Sequence, residues 1–160
     1  RPFLLGAVFK ATGNSPPAFN LYKARYLYQD VLRWTHHYGL PDFTLPDSFP
    51  GNSVKADRLG LVAQEMGKLP QFTHTLYRVV FVQGKDVADV AVLSSALDAV
   101  GIAPAEALGR AEAQDIKDLL RKNTDEAVER GSFGAPTFFV GEDMYVGNDR
   151  LMFVERALRG

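Results

Sequence analysis

Two short segments near the end of the chain carry the residue types best suited to holding a polar ligand. Gly134-Ala135-Pro136-Thr137-Phe138 sets a proline directly before a β-branched and aromatic run. Proline is tolerated at the first position of a strand, where its missing N–H is not needed, and most X-Pro bonds are trans. A hairpin and a terminal helix follow it directly, a context that an isolated X-Pro bond lacks. Gly147-Asn148-Asp149-Arg150 opens the last helical segment. Asn148 or Asp149 there is first of all a helix cap, accepting free N–H groups of the first turn. One oxygen of Asp149 could at the same time receive a ligand ammonium. Asn14, before Ser15-Pro16-Pro17, reads as a turn residue and Lys23 as a solvated helix residue; both are the remaining polar candidates.

Other chemistries find little support. The 160 residues contain no cysteine, so within them there is no disulfide, zinc–thiolate site or cysteine nucleophile. This fits a reducing compartment such as the cytoplasm. His36 and His37 are adjacent and point about 100° apart on a helix, so they do not clamp a metal as an i, i+4 pair would. With His74 they read as ordinary helix residues. A formal net charge of -1 with scattered basic residues points away from nucleic acid and from anionic membranes. No apolar stretch approaches the ~20 residues of a membrane span. The opening Arg1-Pro2-Phe3-Leu4-Leu5-Gly6 has too short an apolar run for a signal peptide. It starts without methionine, like a strand entered part-way through a longer chain.

The elements that must position these residues follow from periodicity and breakers. Pro2 to Val8 is short and apolar and reads as a buried strand. Gly13-Asn14-Ser15-Pro16-Pro17 breaks it. Helical spacing runs from Asn20 to Tyr38 and stops at Gly39 and Pro41. The loop from Pro41 to Ser53 is long enough to suggest a function or docking on another element. Further helices are predicted over Ser53–Leu69, from Pro70 to about Val82, over Asp89–Val100, from Pro104, and over Asp115–Arg130. Thr137–Val140 and Met144–Val146 around Gly141-Glu142-Asp143 form a hairpin, followed by a helix over Arg150–Leu158.

The order is strand, helical block, hairpin, helix. It describes a mixed sheet interrupted by an insertion. Three short strands leave an apolar edge uncovered, which a further β-α unit at the N-terminus would repair.

Taken together, these segments resemble the 2-hydroxychromene-2-carboxylate isomerase family and its relatives, the kappa-class glutathione transferases. The resemblance rests on Arg1–Gly6, Gly13–Pro17 followed by Lys23, Phe49-Pro50-Gly51-Asn52-Ser53, Asn123–Ala127, Gly134–Phe138 and Gly147–Leu151, in the family's order. It implies an α/β fold: a thioredoxin-like domain lacking its first strand-helix unit, with an inserted all-helical domain. The thioredoxin-like part would be residues 1–14 and 132–160, and the insert residues 15–131. Glutathione would lie between them. Asn14 and Lys23 would meet its glycine end, and the backbone of Ala135, before a cis Pro136, its cysteinyl part. Asn148 and Asp149 would take the γ-glutamyl end. These pairings are chemically sensible, because glutathione offers carboxylates to a lysine and an ammonium to an aspartate.

The resemblance further implies a glutathione-dependent isomerase of aromatic-compound degradation, a homodimer acting on a small aromatic or unsaturated substrate. The alternatives are a kappa-type transferase or peroxidase, a DsbA-like thiol oxidoreductase, and a non-catalytic binding module. Relatives place a serine near the glutathione sulfur in a segment this chain does not match. The 160-residue form is therefore expected to be nearly inactive, to bind glutathione weakly and to self-associate. Val146 precedes Gly147 where relatives often carry an aromatic residue, which implies a different substrate.

Overall fold

The structure, a computed structural model, describes residues 1–160 apart from the side chain of Ala18. In chain order the elements are α1 (Leu5–Thr12), α2 (Leu21–His37), α3 (Val54–Glu65), α4 (Leu69–Phe81), α5 (Val90–Asp98), α6 (Pro104–Ala111), α7 (Gln114–Glu129), β1 (Thr137–Val140), β2 (Asp143–Val146) and α8 (Leu151–Arg159). Short 3-10 turns cover Pro17–Phe19 and Asn148–Arg150. The fold is mixed, rich in helix with one small sheet. Two compact units make it up: Arg1–Pro2 with Pro17–Leu120, and Phe3–Pro16 with Arg121–Gly160. Their border falls inside α7.

The first unit is helical. α3 packs on α4 and α6, α4 on α5, and α5 on α6. Leu59, Leu61 and Val62 of α3, Phe72 of α4, and Leu93 and Leu97 of α5 are fully buried. The ends of these helices carry the expected signals. Pro70 sits in the first turn of α4, where a missing N–H costs nothing. The Asp89 carboxylate caps α5 by accepting the Ala91 N–H at 2.8 Å. Beyond α5, the Lys68 ammonium donates to the carbonyls of Val100 and Gly101, each at 2.9 Å, where unsatisfied helix carbonyls favour a cation. Arg110 ties α6 to α3 and to α7, donating to Glu65 and to Asp115 at 2.6 Å each.

α2 differs from its neighbours. Asn20 caps it by accepting the Lys23 N–H at 3.1 Å, yet none of its residues is fully buried. Leu21 and Tyr22 are 80% and 86% exposed. The long loop after it is docked, as its length suggested. The Thr44 N–H donates to Phe81 of α4 at 2.7 Å. Phe43 stacks on Phe81 at 5.6 Å and meets Tyr28 of α2 edge-on at 5.9 Å.

Ser53 precedes α3, as predicted, but its hydroxyl does not cap the helix; it donates to Asp57 Oδ2 at 3.0 Å. Burial pushes the Asp57 carboxyl up from 3.8 to about 6, with the Ser53 hydrogen bond opposing. The folded state thus binds this proton more tightly than the unfolded chain. The associated stability is full below 3.8 and is lost as pH rises through about 6. Asp57→Asn keeps an acceptor for Ser53 and removes the buried charge. It is expected to stabilise by about 2 kcal/mol near pH ~8 and by little near pH ~4. Melting curves at the two pH values check this.

In the second unit the structure corrects one expectation. Residues 5–12 form a helix, not a strand, and β1 and β2 are the whole sheet among the described residues. A short apolar run is compatible with either state. Its ending decides: Lys10 lies in the last turn, and Gly13 adopts the left-handed conformation, φ 71°, that closes a helix. The Leu4 N–H bonds to Thr124 Oγ1 at 3.0 Å at the start of α1. β1 and β2 pair antiparallel from Thr137↔Val146 to Val140↔Asp143, leaving Gly141-Glu142 as the turn; Asp143, expected in the turn, opens β2 instead. α8 packs on both strands, with Val154 buried. Arg130 covers the hairpin, its guanidinium 3.7 Å from the centre of the Phe139 ring and bonded to the Gly141 carbonyl at 3.1 Å.

Candidate functional site

Three segments of the second unit converge at the open end of the hairpin. Pairing of Thr137 with Val146 brings Pro136 opposite Gly147, and the Gly147 N–H donates to the Pro136 carbonyl at 2.9 Å. The Ala135–Pro136 peptide is cis. Ala135 and Pro136 are exposed. The N–H and C=O of Ala135 make no backbone hydrogen bond among the described residues. Both remain open to an extended ligand.

Asn14 reaches this place from the loop after α1. Its Nδ2 donates to the Phe133 carbonyl at 2.8 Å and its Oδ1 accepts the Ser15 N–H at 2.8 Å. The amide is therefore fixed by its own chain, with one N–H and one lone pair left over. It is a clamp on the Ala135 segment as well as a candidate contact.

Asn148 and Asp149 lie in the 3-10 turn before α8. The helix-cap reading of these residues does not hold. Arg150 takes the N-cap position, and no side chain bonds to the first turn of α8. The Asp149 carboxylate instead accepts from Arg150 NH1 at 2.6 Å. With its side chain 45% exposed, it keeps room for a second donor. Asn148 is half-buried. Lys23 belongs to α2 in the other unit. Its side chain is exposed and makes no hydrogen bond or ion pair among the described residues.

Five of the six predicted residues, Asn14, Ala135, Pro136, Asn148 and Asp149, thus fall in one unit. Arg150 joins them with no signal in the sequence, because the adjacency of Asp149 and Arg150 says nothing about where their side chains turn. No group of three or more His, Cys, Asp or Glu side chains is placed to hold a metal among the described residues, and no helix is long and apolar enough to cross a membrane. The gathered groups are an exposed carboxylate, an unpaired peptide unit, a fixed amide and a helix N-terminus without a side-chain cap. They suit a peptide-like ligand carrying both an ammonium and a carboxylate.

Comparison with known proteins places the chain in a family. A family model described as DSBA-like thioredoxin domain matches residues 1–159. Glutathione S-transferase kappa 1 of Rattus norvegicus is 28% identical over 165 residues, covering 94% of this chain and 73% of the relative. 2-Hydroxychromene-2-carboxylate isomerase of Sphingobium xenophagum is 30% identical over 161 residues, covering 99% of this chain and 80% of the relative. A solved structure of 2-hydroxychromene-2-carboxylate isomerase matches with a TM-score of 0.88 at 25% identity, over 98% of this chain and 77% of that one.

Proposed function

Because the chain belongs to the DsbA-like thioredoxin domain family, we propose that it binds glutathione and acts as an isomerase of the 2-hydroxychromene-2-carboxylate type in the breakdown of aromatic compounds. The observation that carries this reading is the convergence of the Ala135 backbone, Asn14 and Asp149 at one end of the hairpin. Each offers a group that glutathione can use. Glutathione, when bound, would supply a thiol for reversible addition to an unsaturated substrate. The residues of this chain bind and orient. Ala135 pairs with the peptide portion through its free N–H and C=O. Asp149 takes the γ-glutamyl ammonium, and Asn148 lies beside it. Asn14 serves the glycine end. In this reading residues 1–14 and 132–160 are the thioredoxin-like domain and residues 15–131 its helical insert. The working assembly is a cytoplasmic homodimer.

A kappa-type transferase or peroxidase is the second reading, favoured by the 28% identity to the rat kappa protein. Product analysis separates the two. With 2-hydroxychromene-2-carboxylate and glutathione, an isomerase interconverts the substrate while the glutathione concentration stays constant. A transferase consumes glutathione and yields a conjugate. In a chain that also carries the serine-bearing segment the resemblance implies, no turnover of that substrate together with no glutathione consumption on electrophilic substrates would count against both.

A further inference from the structure

The Asp149 carboxylate is held from two sides. Gly147 has φ 99°, a conformation side chains rarely adopt, and a Cβ built on it would lie 2.5 Å from Asp149 Oδ1. That separation is far below any contact a real Cβ makes, and Asp149 has too short a side chain to yield without moving its carboxylate. On the other side, Arg150 NH1 donates to Oδ2 at 2.6 Å, and the Arg150 N–H closes the turn onto the Gly147 carbonyl at 3.2 Å. The Gly147 N–H in turn anchors this turn to Pro136.

From this geometry we infer that Gly147 and Arg150 are positioning residues: Gly147 leaves the space in which Oδ1 lies and Arg150 fixes Oδ2, so that the carboxylate faces a ligand ammonium in one orientation. The inference rests on the reading that Asp149 receives the ammonium of glutathione. It adds that the glycine and the arginine of the Gly-Asn-Asp-Arg turn act on the ligand only through that aspartate. Asparagine at 148 contributes no side-chain hydrogen bond to the arrangement among the described residues.

The test is calorimetric titration of the protein with glutathione and with an analogue lacking the α-amino group of the γ-glutamyl part. The variants are Gly147→Ala, Arg150→Met and Arg150→Lys, each also combined with Asp149→Ala. Arg150→Met is expected to weaken glutathione binding about two- to fivefold, the range of an exposed ion pair. Arg150→Lys should recover part of the loss. Gly147→Ala is expected to weaken it roughly tenfold, as for a lost charge-assisted hydrogen bond. Affinity for the analogue should not change in any of them, and none should weaken glutathione further once Asp149 is alanine. Equal losses for both ligands, or full additivity with Asp149→Ala, would show a merely structural role and overturn the inference. Should Gly147→Ala not fold, Arg150→Met still decides. A parent protein that binds both ligands equally would overturn the ammonium reading itself, and the inference with it.

Discussion

In a chain that also carries the β-α unit the resemblance implies, Asp149→Ala is expected to weaken glutathione binding about ten- to a hundredfold, the loss of a charge-assisted hydrogen bond of roughly 1.5–3 kcal/mol. The stability of the protein should change little. No side chain caps α8, so the substitution removes no cap. Its one side-chain partner among the described residues is the exposed Arg150, and such surface pairs contribute roughly 0–1 kcal/mol. Titration and melting curves together check the prediction. An unchanged affinity would leave Asp149 with an ion pair and no ligand. A large drop in melting temperature would mean that it supports the turn more strongly than its contacts suggest.

Phe72→Ala is expected to have the largest effect on stability, about 3–5 kcal/mol. Phe72, Leu76 and Val80 recur along the inner face of α4, and Phe72 is 1% exposed. α4 lies in contact with both α3 and α5, and Phe72 is among the largest fully buried side chains, so its removal leaves a cavity in the core. Urea denaturation of the parent and the variant measures the cost. A loss below about 1 kcal/mol would mean that the site collapses around the smaller side chain.

How much of this was legible beforehand varies along the chain. The hairpin was readable because Thr137-Phe138-Phe139-Val140 and Met144-Tyr145-Val146 flank a glycine-containing turn, a local signal that packing reinforces. The helices of the first unit were readable for the same reason: their apolar spacing and their caps agree, as at Pro70 and Asp89. α1 was not, because residues 2–8 are apolar without a period, and only Gly13 and Lys10 marked a helix end. α2 was recognised as a helix, but the apolar spacing that announced it implied a buried face the structure does not give it. Periodicity reports a face and not what covers it. At the site, residue types were legible and bonds were not. Asn14 is held by the carbonyl of Phe133, 119 positions away, and Asp149 turns to Arg150 instead of to the helix below it. Both outcomes depend on backbone directions that a list of residues does not contain.

The hydrogen bond from Gly147 to Pro136 has a consequence for the entropy of recognition. It closes a loop of only about ten residues, whose cost of closure is small and is met when the hairpin forms. The peptide group of Ala135 and the carboxylate of Asp149 are therefore aligned by the same local event that makes β1 and β2. A ligand meeting both groups finds their spacing already set, and little of its interaction energy is spent on ordering the chain that receives it.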